Sequence, residues 1–317
     1  MQCSARLRAA ALAEAGRAGL GLIPAKGWTN DLRSYERERS TVQCLNCSRS
    51  KEEKMLLANR VAIITGGAKG MGRGIALKFA DEGCSVAIAD ISIKDANDTL
   101  AEVSRRGREG LSLLCDVTKG EQVRDTVEKV ISRFGKIDIL VNNAGGMPPT
   151  PPIEDVTEEE WDRVLALNLK SDFLFCKFVV PHMKERKYGK IINLSSIGAI
   201  NPPAHVIHYN TAKAGVIGFT YDLAFALAPF HICVNAILPG PIRTAFYDHM
   251  IGSMTEKEKD AFFEGIGKNK VPLQRVGTPE DIAGSALFLA SELSAFVTGE
   301  TLLVSGGLPL GPYHPPH

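Results

Sequence analysis

Seven short apolar runs, separated by segments of helical length, constrain this 317-residue chain more than any other feature. They are "RVAIIT" (60–65), "SVAIAD" (85–90), "GLSLLCD" (110–116), "DILVNN" (138–143), "GKIINLS" (189–195), "HICVNAIL" (231–238) and "ETLLVS" (300–305). Short runs with little polar alternation suit strands buried on both faces, and the amphipathic segments between them supply the covering layers. The expected architecture is α/β: a single doubly wound domain whose seven-stranded parallel sheet is flanked by helices. A composition of 44% hydrophobic and 23% charged residues is that of a globular protein able to fill such a core.

The pattern starts only at Arg60. Residues 1–54 mix Ala-rich, Arg-rich and polar pieces without a sustained apolar period, and are expected to be an appendage. They hold 10 Lys+Arg against 6 Asp+Glu, so the appendage is net positive while the remainder is slightly negative. An Arg-rich targeting peptide, a disordered tail and upstream codons read from a start chosen too early are the competing readings. Met55, shortly before the first strand and after "KEEK", favours the third. The expected division is 1–54 appendage, 55–310 folded domain and 311–317 tail.

With a formal net charge of +1, nothing calls for a nucleic-acid partner, and no run approaches the ~20 apolar residues of a membrane span. Seven cysteines make no disulfide framework and point to a reducing compartment, so the cytoplasm is the expected location. Cys44 and Cys47 form an isolated CxxC with no partner pair, and no metal is expected.

"TGGAKGMGRG" joins the first strand to a helix. Gly66, Gly70 and Gly72 fall where backbone can approach a pyrophosphate at a helix N-terminus, with Lys69 and Met71 between them. Asp90 closes the second strand, 18 residues beyond Gly72. A carboxylate there accepts hydrogen bonds from a ribose and repels a 2′-phosphate, which favours NAD over NADP. Lys69 pulls the other way but is a single mobile cation. Asp116 and Val117 end the third strand, where they can meet an adenine, and Asn143, Ala144 and Gly145 follow the fourth, where they can meet a ribose. Each could also be simple strand-end capping.

The stretch "SSIGAINPPAHVIHYNTAK" (195–213) ends in a tyrosine and a lysine one helical turn apart. If the chain is helical from about residue 207, Tyr209 and Lys213 share a face.

Taken jointly, TGGAKGMG (65–72), Asp90, Asp116, NNAG (142–145), Asn168, Ser196, Y-N-T-A-K (209–213), PGPIRT (239–244) and TGETLLVSGG (298–307) resemble the classical short-chain dehydrogenase/reductase family over about residues 56–307. The resemblance implies a Rossmann-type fold and a catalytic set of Asn168, Ser196, Tyr209 and Lys213. It also chooses between the serines, because family members commonly leave twelve residues before the tyrosine, and residues 197–208 lead back to Ser196. Ser195 should then point away or support the loop. Departures are His231, where glycine is common, and Ala226, where an acidic residue often sits.

By this resemblance Tyr209 exchanges a proton with a secondary alcohol or ketone while hydride moves to or from the nicotinamide. Lys213 and the positive ring lower the tyrosine pKa, which is otherwise about 10. Ser196 holds the reacting oxygen, Asn168 fixes a water leading to solvent, and Pro239, Gly240, Ile242 and Thr244 hold the carboxamide. The substrate, a small alcohol or ketone, is expected under loop 146–156 with Pro148, Pro149, Pro151 and Pro152, segment 197–208 and a mobile segment of about 245–272. Ile197, Ile200, Phe246, Tyr247 and Met250 are the apolar wall candidates; His205 and His208 are expected to be exposed or to touch a polar substituent. The alternatives are an NADPH-dependent 3-oxoacyl-thioester reductase and an idle dinucleotide-binding protein. A homo-oligomer, tetramer or dimer, is implied, with interfaces on helices around 157–186 and 207–228 and the last strand.

Overall fold

All seven apolar runs form strands: β1 (Val61–Thr65), β2 (Ser85–Asp90), β3 (Gly110–Leu114), β4 (Ile139–Asn142), β5 (Gly189–Leu194), β6 (Ile232–Pro239) and β7 (Thr301–Val304). They pair in parallel in the order β3-β2-β1-β4-β5-β6-β7. The order reverses between β1 and β4, and in such sheets the crevice beyond the strand C-termini at that point is where ligands sit. The computed structural model describes residues 55–147, 151–203, 206–247 and 251–311, all within one compact unit, residues 54–317. The expectations placed on residues 1–54, Pro148, Pro149, His205, Met250 and 312–317 lie outside the described residues.

Helices α1 (Gly70–Asp81), α2 (Ile93–Arg105), α3 (Gly120–Phe134), α4 (Glu158–Leu165), α5 (Ser171–Arg186), α6 (Ile207–Leu227), α7 (Glu256–Lys270) and α8 (Pro279–Ala290) fill the connections. Their boundaries follow local chemistry. Ser92 and Thr157 accept hydrogen bonds from the backbone N–H groups of Asp95 and Glu160, and Thr255 and Thr278 form capping boxes with Glu258 and Asp281. Gly135 stops α3 in the left-handed region. His231 takes that same conformation with φ 57°, which accounts for glycine being common there.

Side chains alternate across the sheet, so neighbours such as Ile63 and Ile64 enter different cores. One core joins Ile64 and Ile88 to Ile75 and Phe79 of α1 and Ile282 of α8; the other joins Ile63 and Leu140 to Val127 of α3, Phe175 of α5 and Leu227 of α6. Each such buried side chain contributes about 1.5–3 kcal/mol.

At the end of the sheet opposite the crevice, fully buried Asp138 accepts from Val61 N at 2.9 Å and pairs with Arg186 and Lys136, each at 2.8 Å. Burial by itself would raise its pKa; the hydrogen bonds from Lys136 and Arg186 outweigh that and hold it below the usual carboxylate range.

Candidate active site

The glycine loop is built for close backbone approach. Gly66 and Gly70 have φ of 62° and 54°, and a Cβ on Gly72 would lie 2.2 Å from the Gly66 carbonyl oxygen. Lys69, at the N-cap of α1, makes no side-chain cap, and the first turn carries no acidic residue, so the helix N-terminus suits an anion. Asp90 turns back onto this loop, with Oδ2 accepting from Ala68 N at 3.1 Å and Oδ1 from Ser92 N at 2.9 Å. Lys69 pairs with Asp95 at 2.9 Å. Met71 is partly buried against the core on the α1 side of the sheet.

Asn143 ties the two central strands together, donating from Nδ2 to the carbonyls of Thr65 and Gly66, while Thr65 Oγ1 accepts from both Asn143 N and Ala144 N. Its Oδ1 is buried without a partner, an acceptor left open beside the glycine loop that Nδ2 contacts. These features fit a dinucleotide. Asp116 caps Thr118 through both N–H and hydroxyl and stays partly exposed, and Val117 is buried. Thr244 lies over Gly70, where a Cβ would meet it at 3.4 Å, so the loop after β6 closes on the glycine loop. Pro239 ends β6, Gly240 backs against Ser305 of the β7 end, and Ile242 is buried in the α1-side core.

Asn168 sits in a π turn, Ala166–Lys170, between α4 and α5. It is fully buried and clamps the loop after β4, accepting from Gly146 N at 3.1 Å and donating to the carbonyls of Gly146 and Val164 at 2.9 and 3.0 Å. Both side-chain N–H groups are therefore committed. A Cβ on Gly145 would stand 2.7 Å from Asn168 Oδ1 and 3.4 Å from Lys213 Nζ, so this glycine keeps open the space between them.

Tyr209 and Lys213 share one face of α6, with Nζ 5.9 Å from the Tyr209 ring centre and donating to Leu194 O at 2.7 Å. Ser196 lies beside the Tyr209 side chain, and its Oγ accepts from Gly198 N at 3.0 Å. Ser195 faces the other way and donates to Lys213 O at 2.7 Å. Burial pushes the Tyr209 hydroxyl up to about 12, outweighing the lowering pull of the neighbouring Ser196. Burial also pushes Lys213 below the ordinary lysine value, against the opposing pull of the Asp172 carboxylate. The polypeptide alone thus does not supply the expected stabilisation of a phenolate.

Tyr209 packs in a small apolar cluster with Val164 and Val206, flanked by Met147 and Phe246. Phe246 continues through Tyr247 to Phe262 and Phe263 of α7, each ring 5.4–6.2 Å from the next. Of the expected wall residues, Phe246 and Tyr247 belong to this cluster, whereas Ile200 is 52% exposed. Met147, Val206, Phe262 and Phe263 lie in the three segments expected to cover the substrate without having been singled out, and Val164 lies outside them. His208 corrects an expectation: it is in α6, 1% exposed, with Nδ1 accepting from Tyr209 N and Nε2 3.8 Å from Glu160. A cleft of about 240 Å³ also lies between Ile242, Arg275 and Ser305, but none of the four expected catalytic residues lines it.

Among the described residues, no helix is long and apolar enough to cross a membrane, and no group of three or more His, Cys, Asp or Glu is placed to hold a metal ion.

A dinucleotide crevice at the sheet's switch point, beside a serine, tyrosine and lysine cluster, defines a nicotinamide-dependent oxidoreductase. A family model described as enoyl-(acyl carrier protein) reductase matches residues 66–309. Similar proteins include the BbsD subunit of (2S)-[(R)-hydroxy(phenyl)methyl]succinyl-CoA dehydrogenase from Thauera aromatica, 40% identical over 80% of this chain and 98% of that protein. The 3-oxoacyl-[acyl-carrier-protein] reductase FabG of Staphylococcus epidermidis is 38% identical over 79% of this chain and 99% of its own length. Among solved structures, levodione reductase superposes with a TM-score of 0.73 at 31% identity, covering 79% of this chain and 98% of that one. The chain belongs to the short-chain dehydrogenase/reductase family.

Proposed function

We propose that the protein is an NAD(H)-dependent dehydrogenase acting on CH–OH groups, interconverting a secondary alcohol and a ketone with Tyr209 as general acid/base. The observation that carries this reading is the convergence of Tyr209 with Lys213 on one face of α6 and Ser196 beside them, at an apolar mouth formed by Met147, Val206 and Phe246. The dinucleotide, when bound, supplies the hydride acceptor or donor.

In oxidation Tyr209 takes the hydroxyl proton, and in reduction it returns it. Ser196 keeps the reacting oxygen within reach of the phenol. Lys213, held by Leu194 O, adds positive charge on the side of the phenolate. Asn168 clamps the loop at Gly146 that borders the site; with both its N–H groups engaged, any water toward solvent is held through the remaining lone pair of Oδ1 or a main-chain carbonyl. Gly66, Gly70, Gly72, Asn143, Ala144 and Gly145 form the backbone cradle. Asp90 sits where a ribose hydroxyl would be accepted and a 2′-phosphate repelled, which supports NAD over NADP.

The second reading is a 3-oxoacyl-thioester reductase using NADPH. The names of the BbsD and FabG relatives support acyl-thioester substrates, while Asp90 speaks against the phosphorylated cofactor. The test is turnover by the full chain with NAD and NADP against cyclohexanol, 2-octanol and 3-hydroxybutyryl-CoA. Equal use of both cofactors, or exclusive use of NADP, would sink the NAD assignment.

A cytoplasmic homo-oligomer is proposed alongside. Phe173 of α5 and Tyr221 and Phe225 of α6 are 46%, 47% and 89% exposed, and edge strand β7 exposes Leu303. Such apolar side chains suit contacts with further copies.

A further inference from the structure

A buried histidine next to the proposed general acid/base has no part in the chemistry described so far. α6 begins at Ile207 with Val206 at its N-cap, and valine offers no side-chain acceptor to the first-turn N–H groups. His208 supplies one: its Nδ1 accepts the Tyr209 main-chain N–H at 3.0 Å, with the residue only 1% exposed. A ring nitrogen that accepts carries no proton, so a neutral His208 has its hydrogen on Nε2. That Nε2 is buried and makes no hydrogen bond, and Glu160 Oε1 of α4 stands 3.8 Å from it.

The surroundings hold Tyr209 from two sides. Val164, one turn after Glu160 on α4, packs in the apolar cluster with Tyr209 and Val206. Asn210 sets its Oδ1 against Gly198, where a Cβ would collide with it, and Gly198 N in turn donates to Ser196 Oγ. The first turn of α6 therefore reaches toward α4 through His208 and to the Ser196 loop through Asn210, with Tyr209 between them. The α4 carboxylate is shared, since the largely exposed Arg163 also lies 3.8 Å from Glu160 Oε1.

We propose that His208 is a positioning residue for Tyr209: as the Nε2–H tautomer it fixes the Tyr209 main chain through Nδ1 and ties that turn to α4 through Glu160. A shift of ~1 Å closes the Nε2-to-carboxylate gap to a hydrogen bond. A misplacement of that same size at a reacting group costs up to ~10²-fold in rate.

The inference rests on the general acid/base role proposed for Tyr209, and its test separates the two. The full chain is assayed with NAD and whichever of cyclohexanol, 2-octanol and 3-hydroxybutyryl-CoA it turns over best. His208→Leu, which removes both contacts, should lower kcat by about tenfold or more, with KM and NADH binding within about twofold of the wild type. His208→Asn places an amide oxygen where Nδ1 stood and should recover most of that loss. Glu160→Ala should lower kcat in the wild-type background and not in His208→Leu, as a coupled pair requires. Wild-type kcat in His208→Leu, no recovery in His208→Asn, or a Glu160→Ala effect of the same size in both backgrounds would overturn the inference. If His208→Leu fails to fold, nitrogen NMR of the chain labelled at its histidines still decides. The His208 signals, assigned by their loss in His208→Asn, should show a protonated Nε2 and a bare Nδ1 at neutral pH, and a protonated Nδ1 would overturn the inference. Full activity in Tyr209→Phe would instead sink the general acid/base reading and leave the NMR result standing.

Discussion

The Ser195 hydroxyl donates to the main-chain carbonyl of Lys213 at 2.7 Å, so the serine beside the proposed substrate-binding Ser196 serves to dock α6 onto the end of β5. Two adjacent hydroxyls thus divide into one that supports and one that faces Tyr209. Ser195→Ala should lower stability by about 1 kcal/mol in urea unfolding, with kcat changed little. Ser196→Ala should lose a comparable amount of stability, through its bond from Gly198 N, but lose turnover by orders of magnitude. Equal kinetic losses in the two variants would refute this division.

Tyr209→Phe should bind NADH within about twofold of the wild type, by fluorescence titration, and lose ~10²–10⁴ in kcat. Because oxidation needs the phenolate and reduction the phenol, oxidation by the wild type should rise with pH as Tyr209 deprotonates and reduction should fall. A pH-independent ratio of the two rates would contradict a tyrosine that burial holds protonated up to about 12 in the polypeptide alone.

Asp90→Ala should leave the glycine loop able to accept a 2′-phosphate and shift the ratio of kcat/KM for NADP over NAD upward by at least about tenfold. The Ala68 and Ser92 N–H groups that Asp90 now accepts from would become additional donors to that phosphate. An unchanged ratio would remove Asp90 from cofactor selection.

His231→Gly should stabilise the fold by about 1 kcal/mol, read as a raised Tm, since an exposed non-glycine residue with φ 57° carries left-handed strain. A lower Tm would mean that the histidine side chain contributes more than its backbone costs.

The strands were legible because a buried parallel strand is mostly apolar on both faces, so β1 announces itself as an unbroken run and β5 and β6 as runs interrupted only by Lys190, Asn193 and Asn235. That Tyr209 and Lys213 share a face was legible because helix geometry fixes how residues four apart meet, while their catalytic reading came from the family resemblance. Burial of polar groups was not. Asp138, Asp172 and His208 each read as one more polar residue, and only the packing of α5, α6 and the sheet makes them nine-tenths buried or more. The π turn at Asn168 leaves no mark in composition, since it depends on how α4 and α5 meet the loop at Gly146. The apolar wall was half read: Phe246 and Tyr247 follow the sheet in sequence, whereas Phe262 and Phe263 arrive by way of α7.

The ring-to-ring chain from Tyr209 through Phe246 and Tyr247 to Phe262 and Phe263 separates two inheritances within one site. The proposed proton transfer draws on the frame of strand ends and α6, while much of the proposed mouth is drawn from a single contiguous piece that leaves β6 and ends with α7. A lineage could exchange that piece and acquire a new diet without disturbing the tyrosine proposed as its acid.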